Sequence, residues 1–127
     1  MGNKIYLICS VRGATEERAN EAEEYVKKLE SNGYKVYYPP RDCDQTDDGI
    51  GMNICFSHRN AIKGCDEVHV LWYKDSIGSH FDFGMAFAFG KPIILVNNPQ
   101  KTEHKSYTNV LIELDKKQKI FTKNGTK

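Results

Sequence analysis

The stretch EVHVLWYKDSIGSHFDFGMAFAFGKPIILV, residues 67–96, decides the fold of this chain. Its first part, 67–73, is mostly apolar, as expected of a strand that is covered on both faces. A polar turn over 76–84 follows, and a helix is predicted over 81–89. A second apolar run over 92–96 predicts another strand. Strand, helix and strand in this order indicate two parallel strands joined by a right-handed crossover.

The rest of the chain repeats this alternation. Two more strands are predicted over 5–9 and 34–38, and they are joined by a helix that Thr15 can cap. A short helix is predicted over 52–63 and a last one over 106–117. Strict alternation favours an α/β fold, a single-domain flavodoxin/Rossmann-like three-layer sandwich. Its sheet is expected to be mostly parallel, with four to five strands.

Length and charge exclude several classes of partner. The 127 residues suit one domain over 1–127, with 119–127 as a loose tail. Lys and Arg number 18 and Asp and Glu 17, so the formal charge of +1 gives no general attraction to nucleic acid polymers or membranes. No apolar run reaches the roughly 18 residues of a membrane span, and the N-terminus lacks the pattern of a signal peptide. We expect a cytoplasmic protein whose anion sites are local.

No metal or cofactor is predicted. The four cysteines form no CxxC pair and are expected to be reduced. Cys55 and His58 share a helix face, but four ligands at the spacing of a metal site are not visible. The segment 41–50 contains four aspartates, yet an EF-hand would need a different spacing and a terminal glutamate. That segment is expected to be a mobile, solvated lid.

In a sheet of this kind, ligands bind beyond the carboxyl ends of the strands, where the strand order reverses. The loops over 10–14 and 74–80 are therefore the predicted site. In the first loop, Ser10, Arg12 and Gly13 offer a hydroxyl, a guanidinium and exposed amides to an anion. An equally good interpretation is a plain loop in which Gly13 only permits the turn.

The second loop carries more chemistry. Ser76, Gly78 and Ser79 can surround a phosphate or a sugar with hydroxyls and amides. Asp82 is predicted in the first turn of the next helix, either as a favourable charge there or as a functional carboxylate among aromatic residues. His58, on an apolar helix row, is either a packing residue or a functional one.

Three motifs in order carry a family resemblance. The pattern IYLICSVRG at 5–13 is followed by a Cys-Asp pair before an apolar strand, and then by SIGSHFDFGMAFAFGKPIILV at 76–96. Together they resemble the nucleoside 2-deoxyribosyltransferase superfamily, most closely its 2′-deoxynucleoside 5′-monophosphate N-glycosidase branch. The resemblance covers residues 5–106. It implies an enzyme that breaks an N-glycosidic bond, in which a carboxylate attacks C1′ and water or another base resolves the glycosyl-enzyme.

The resemblance also implies roles for single residues. Asp82 matches the catalytic glutamate of the family's E-x-G motif, and Tyr6 matches the tyrosine that places it. Ser106 matches a serine that reaches a neighbouring subunit's site, so a homodimer or larger homo-oligomer is implied. The residues that match the nucleotide-binding loops are Ser10, Arg12 and Gly13 in the first, and Ser76, Gly78 and Ser79 beside the 5′-phosphate in the second. The implied partner is a nucleoside or a nucleotide.

Two positions depart from the family pattern. Asp82 replaces a glutamate, which shortens the carboxylate's reach by about 1.5 Å, and a displacement of about 1 Å can cost about a hundredfold in rate. His58 stands where the family has an aspartate that contacts the sugar. A histidine can donate to a hydroxyl or protonate a departing base, and we count it among the catalytic candidates. Two alternatives stay open: a nucleotide-binding or sensing module with reduced catalysis, and a hydrolase of another N-ribosyl bond such as that of NAD.

Overall fold

The structure, a computed structural model, describes residues 2–44, 46 and 49–121. Strands and helices alternate along the chain, as the sequence predicts. The elements are β1 Lys4–Ile8, α1 Glu16–Ser31, β2 Lys35–Tyr37, α2 Pro39–Asp42, α3 Met52–Gly64, β3 Glu67–Val70, α4 Ile77–Ala88, β4 Ile93–Leu95 and α5 Tyr107–Phe121.

The four strands form one sheet in the order β2-β1-β3-β4, and every pairing is parallel. Tyr6 of β1 lies between Tyr37 of β2 and Val68 of β3 in the register. The crossover from β1 to β2 runs one way along the sheet, and the return to β3 runs the other way. The strand order therefore reverses between β1 and β3, which confirms the flavodoxin-like α/β fold predicted above.

The central strand is buried on both faces, because helices cover each side of the sheet. Ile5 and Leu7 pack with α1, whereas Tyr6 and Ile8 pack with residues of α3, α4 and α5. Alternate residues of a strand point to opposite faces, so a run of apolar residues serves both. This places the Tyr6 side chain in the layer that contains α3 and α4.

Helix α4 begins earlier than predicted, which corrects the assignment of 76–84 as a turn. Ser76 is the N-cap, and its side chain accepts a hydrogen bond from the Ser79 amide. Gly78 suggested a loop, but a glycine is tolerated in a first turn that lies at the surface. Asp82 consequently lies in the second turn of α4 and not in the first, so it is not a charge at the helix N-terminus.

The segment after β2 also differs from the prediction. The strand predicted over 34–38 is followed by Pro39 and Pro40, and these residues open the short helix α2, because proline suits the first positions of a helix. Asp42 reaches back to accept a hydrogen bond from the Tyr38 amide at 2.8 Å. The predicted lid over 41–50 thus starts as helix, and its residues 45, 47 and 48 lie outside the described residues.

Helix α5 continues to Phe121, beyond the predicted end at Lys117, and residues 122–127 of the predicted tail lie outside the described part of the chain. None of the helices within the described residues is long and apolar enough to cross a membrane. No disulfide bond joins the four cysteines, all of which lie within the described residues. Across the ranges 2–44, 46 and 49–121, no group of three or more His, Cys, Asp or Glu side chains is placed to hold a metal ion.

Candidate active site

The centre of the site is a contact between β1 and α4. Tyr6 is fully buried, and its hydroxyl donates a hydrogen bond of 2.9 Å to Oδ2 of Asp82, which is only 6% exposed. Asp82 is buried because it lies on the inward face of α4, next to Phe83. Burial, reinforced by the Asp82 carboxylate, raises the pKa of Tyr6 far above its ordinary value. Tyr6 therefore stays protonated and remains a donor to Asp82 at every physiological pH.

Helix α3 adds His58 to the other oxygen of the same carboxylate. His58 Nδ1 lies 3.2 Å from Asp82 Oδ1. Ile62, one turn further along α3, is fully buried, so the apolar row of this helix turns His58 towards the sheet. His58 therefore packs against the sheet and also contacts Asp82, so the packing interpretation and the functional interpretation of this residue are compatible.

The second ring nitrogen of His58 has no hydrogen-bond partner in the part of the chain that the structure describes. Nε2 is buried, and no described residue offers it a hydrogen bond. A contact between Nδ1 and a carboxylate is best made by an Nδ1–H group, which leaves Nε2 as an acceptor. A buried acceptor without a donor costs about 1–3 kcal/mol. A bound molecule that donates to Nε2 would recover this energy.

Aromatic rings hold the cluster of Tyr6, His58 and Asp82 in place. Tyr6 stacks on Tyr37 with ring centroids 5.4 Å apart, and its edge meets His58 at 6.0 Å. Sequence reasoning missed Tyr37. The signal was present, because Tyr37 lies in a predicted strand beside β1, but only the register of the sheet places it against Tyr6.

A cleft of about 460 Å³ opens beside this cluster, beyond the carboxyl ends of β1 and β3. This is the point where the strand order reverses and where such folds bind ligands. His58 and Asp82 line the cleft, and so do Arg12, Ser76 and Gly78. The structure therefore brings together candidate residues from the loop after β1, from α3 and from the start of α4.

Five predicted site residues do not line the cleft, and Tyr6, which contacts it only through Asp82, is one of them. Ser10 is buried, and its hydroxyl has no hydrogen-bond partner among the described residues; Gly13 turns the loop after β1 with a positive φ of 75°. Ser79 is buried, and its hydroxyl lies 2.8 Å from that of Ser76. Ser106 caps α5, accepting a hydrogen bond of 3.1 Å from the Asn109 amide. The cap explains Ser106 within one chain, and its role towards a second subunit stays a prediction.

The end of the cleft near α4 suits an anion, although one negatively charged side chain also lies there. The first-turn amides of α4 lack backbone acceptors within the helix, and Arg12 lines the same cleft. Asp75, which sequence reasoning did not single out, also lines the cleft. Its charge is offset by Arg18 at 3.0 Å, and that guanidinium also stacks over the Tyr73 ring.

Cys9 is a further lining residue that sequence reasoning treated only as a packed thiol. Burial, and then the neighbouring Asp82 carboxylate, raises the pKa of Cys9 to about 12. Only the thiolate form of a cysteine is a good nucleophile, so Cys9 is chemically inert at neutral pH. Among the lining residues, Asp82 and His58 can transfer protons or stabilise positive charge, whereas the other lining carboxylate, Asp75, is paired with Arg18.

Two solved structures share this fold. The 2-deoxyribosyltransferase from the psychrotolerant bacterium Bacillus psychrosaccharolyticus is 19% identical, with a TM-score of 0.61 over 85% of this chain and 90% of that one. The CMP N-glycosidase BcmB from Clostridium botulinum is 24% identical, with a TM-score of 0.60 over 87% and 81%. No protein-family model and no curated protein matches the chain. The resemblance drawn from the motifs is confirmed as a structural similarity to these two enzymes.

Proposed function

We propose that this chain cleaves the N-glycosidic bond of a nucleoside or a nucleoside 5′-monophosphate, with Asp82 as the carboxylate that faces C1′ of the sugar. One observation carries the proposal: a buried aspartate, held by Tyr6 and His58, on the wall of the cleft at the strand-order reversal. A buried charge costs several kcal/mol unless it is paired, so it is seldom kept for packing alone.

The chemistry of the bond fits this cluster. When the base departs, positive charge develops on the sugar ring in an oxocarbenium-like transition state. A fixed carboxylate stabilises that charge best where water is largely excluded. Tyr6 keeps its hydrogen bond to Asp82 throughout, so the carboxylate is held in place before the substrate arrives.

A 5′-monophosphate is the favoured substrate class, because the anion end of the cleft would otherwise have no use. Arg12, the Ser76 hydroxyl and the first-turn amides of α4 suit a phosphate better than the uncharged 5′-hydroxyl of a nucleoside. The two proteins of similar fold, one named for deoxyribosyl transfer and one for cleavage of CMP, support a nucleoside or nucleotide ligand.

A second candidate function is nucleotide binding or sensing without turnover. It is favoured by the same cluster, because both oxygens of Asp82 are already hydrogen-bonded and the side chain is one methylene shorter than the family's glutamate. Cleavage of another N-ribosyl bond, such as that of NAD, would use the same carboxylate on a different leaving group.

The predicted homodimer has a candidate surface on the outer side of α4 and α5. Ile77, Phe81, Phe87 and Tyr107 are more than half exposed there, beside an apolar groove of about 540 Å³. Ile77 also lines the cleft, so a second copy on this surface would lie next to the site. The homodimer and the cytoplasmic location are part of the proposal.

The test is a substrate panel of nucleosides, ribonucleoside and deoxynucleoside 5′-monophosphates and NAD, with released base measured by chromatography. We expect base release from a monophosphate, and its loss in Asp82→Asn. Asp115→Asn is the matched control, since Asp115 is also buried but accepts its hydrogen bond from the Leu95 amide, away from the cleft. Asp115→Asn should lower stability and leave base release intact at low temperature.

The panel also separates the alternatives. If base is released from NAD alone, the proposed substrate class is wrong, and the proposed role of the Asp82 carboxylate stands. If no compound loses its base while a nucleotide raises the melting temperature, the chain is a binding module and the proposed enzyme is wrong.

A further inference from the structure

We propose that His58 takes a proton from the attacking water, so that the glycosidic bond is broken in one displacement, with inversion at C1′ and no glycosyl-enzyme. Asp82 is then the residue that positions His58. This inference rests on the proposed function and specifies how the same site works. It differs from the two-step route that the resemblance implies, in which the carboxylate itself attacks C1′.

The state of Asp82 is the first support. Tyr6 occupies Oδ2 at 2.9 Å and His58 occupies Oδ1 at 3.2 Å, so neither oxygen is free of a hydrogen bond. Each bond draws charge from the carboxylate and lowers its power as a nucleophile. The Asp82 side chain is only 8% exposed and is one methylene shorter than a glutamate, which draws the carboxylate back from a sugar in the cleft.

The state of His58 is the second support. Nδ1 is directed at Asp82, and this contact favours the tautomer with the proton on Nδ1 and the lone pair on Nε2. Nε2 is buried and lacks a donor among the described residues, while the His58 residue lines the cleft. A molecule that enters the cleft and reaches Nε2 would supply the missing donor, and the water that attacks the sugar is such a molecule.

Asp82 and His58 are arranged like the carboxylate and the histidine of a catalytic triad. A carboxylate bonded to one ring nitrogen holds the tautomer in which the other nitrogen is a base, and it stabilises the imidazolium formed afterwards. Here the pair is itself anchored, because Tyr6 holds the second oxygen of Asp82. An orienting carboxylate requires a histidine at hydrogen-bond distance, and Asp82 has one in His58.

Geometry also decides between base and acid for His58. His58 contacts Asp82, so both lie on the same side of the sugar if Asp82 faces C1′. In an inverting displacement the water arrives on that side and the base departs from the opposite one. His58 is therefore placed to act on the water, not to protonate the leaving base, a role considered for it from the sequence.

The step balances as a hydrolysis. The water oxygen forms a bond to C1′ as the bond from C1′ to the base nitrogen breaks, and that electron pair leaves with the base. One proton of the water passes to His58 Nε2, and the departing base takes up a proton from solvent. His58 then returns its proton to solvent. The products are the free base and the sugar, with the new C1′ hydroxyl on the face opposite to the departed base.

The deciding experiment uses a monophosphate that the full chain cleaves, with a second free base or methanol added as a competing acceptor. We expect no exchanged nucleotide, no glycosyl adduct on the quenched protein by intact-mass measurement, and any methyl glycoside in the inverted configuration. Base exchange, an adduct on Asp82 or a retained methyl glycoside would overturn the inference and leave the proposed function standing. Absence of base release from every compound would overturn both.

Variants test the role of His58 directly. His58→Ala should lose about a hundredfold or more in base release, the range of a general base, and added imidazole should restore part of it. His104→Ala, a change at an exposed histidine, is the control and should not respond. Full activity in His58→Ala would contradict the inference.

A readout independent of turnover tests the positioning role of Asp82. Nitrogen NMR of labelled histidine should find the His58 proton on Nδ1 in the native protein. Asp82→Ala should release that proton to either nitrogen, whereas a merely structural aspartate would leave the tautomer unchanged. A His58 proton on Nε2 in the native protein would overturn the inference.

Discussion

Within the described part of the chain, two clusters each contain a tyrosine, a histidine and a carboxylate, one on each face of the sheet. On the α1 face, His69 is bonded to Tyr25 through Nδ1 at 2.5 Å and to Glu67 through Nε2 at 2.9 Å. On the other face, Asp82 bonds to both Tyr6 and His58, and Nε2 of His58 has no hydrogen-bond partner among the described residues.

The two clusters differ in whether both ring nitrogens of the histidine have a hydrogen-bond partner. Both nitrogens of His69 have hydrogen-bond partners, so the α1-face cluster is complete without a ligand. We interpret it as a structural cluster. The cleft cluster is incomplete, and a buried polar atom without a partner calls for a functional explanation. The same residue types therefore serve stability in one place and chemistry in the other, and the missing hydrogen bond separates the two.

The largest expected contrast is catalytic. Asp82→Asn should reduce base release by about a hundredfold to a thousandfold, because it removes the charge next to C1′, whereas Glu67→Gln should leave base release unchanged. Both rates are measured at a temperature where both variants are folded. An equal loss of base release in the two variants would contradict the assignment of catalysis to the cleft cluster alone.

The next contrast is in stability. His69→Ala should lower the free energy of unfolding by about 2–3 kcal/mol, because Tyr25 and Glu67 lose their buried partner. Base release by the folded variant should persist. Urea unfolding with a matched assay checks both. A His69→Ala variant as stable as the native protein would show that the completed cluster contributes nothing.

The pH dependence of stability should follow His69. Burial lowers the pKa of His69 below its ordinary value, so the unfolded chain binds a proton at a higher pH than the folded chain does. The stability that His69 contributes is therefore present above about pH 6.5 and falls as the pH drops below it, by at most about 1.4 kcal/mol per pH unit. Urea unfolding of the native protein and of His69→Gln between pH 5 and 8 should give a shallower dependence in the variant.

The smallest contrast compares the two tyrosine hydroxyls. Tyr6→Phe and Tyr25→Phe each keep the ring and remove one hydrogen bond, at a cost of about 1 kcal/mol in unfolding free energy. Only Tyr6→Phe should also lower base release, by about tenfold, because a loss of about 1.4 kcal/mol in the transition state has that effect. An activity loss in Tyr25→Phe alone would reverse the assignment of the two clusters.

Much of the fold could be read from local sequence. Apolar runs marked the four strands, and Thr15 caps α1 as predicted. Alternation then placed the cleft at the strand-order reversal. Local signals misled where one residue type has two uses: Pro39 opens a helix as readily as it ends a strand, and Gly78 lies within α4 and not in a turn.

The sequence by itself determined the parallel sheet, the position of the cleft and, through the family resemblance, the candidacy of Asp82 and Tyr6. These follow from residue periodicity, helix caps and motif order, which act over a few neighbouring positions. Only the tertiary structure decided that Tyr6, 76 residues away from Asp82, bonds to one of its oxygens, and that His58 bonds to the other. Such contacts depend on how the crossovers set one helix against another, and no local pattern records that geometry.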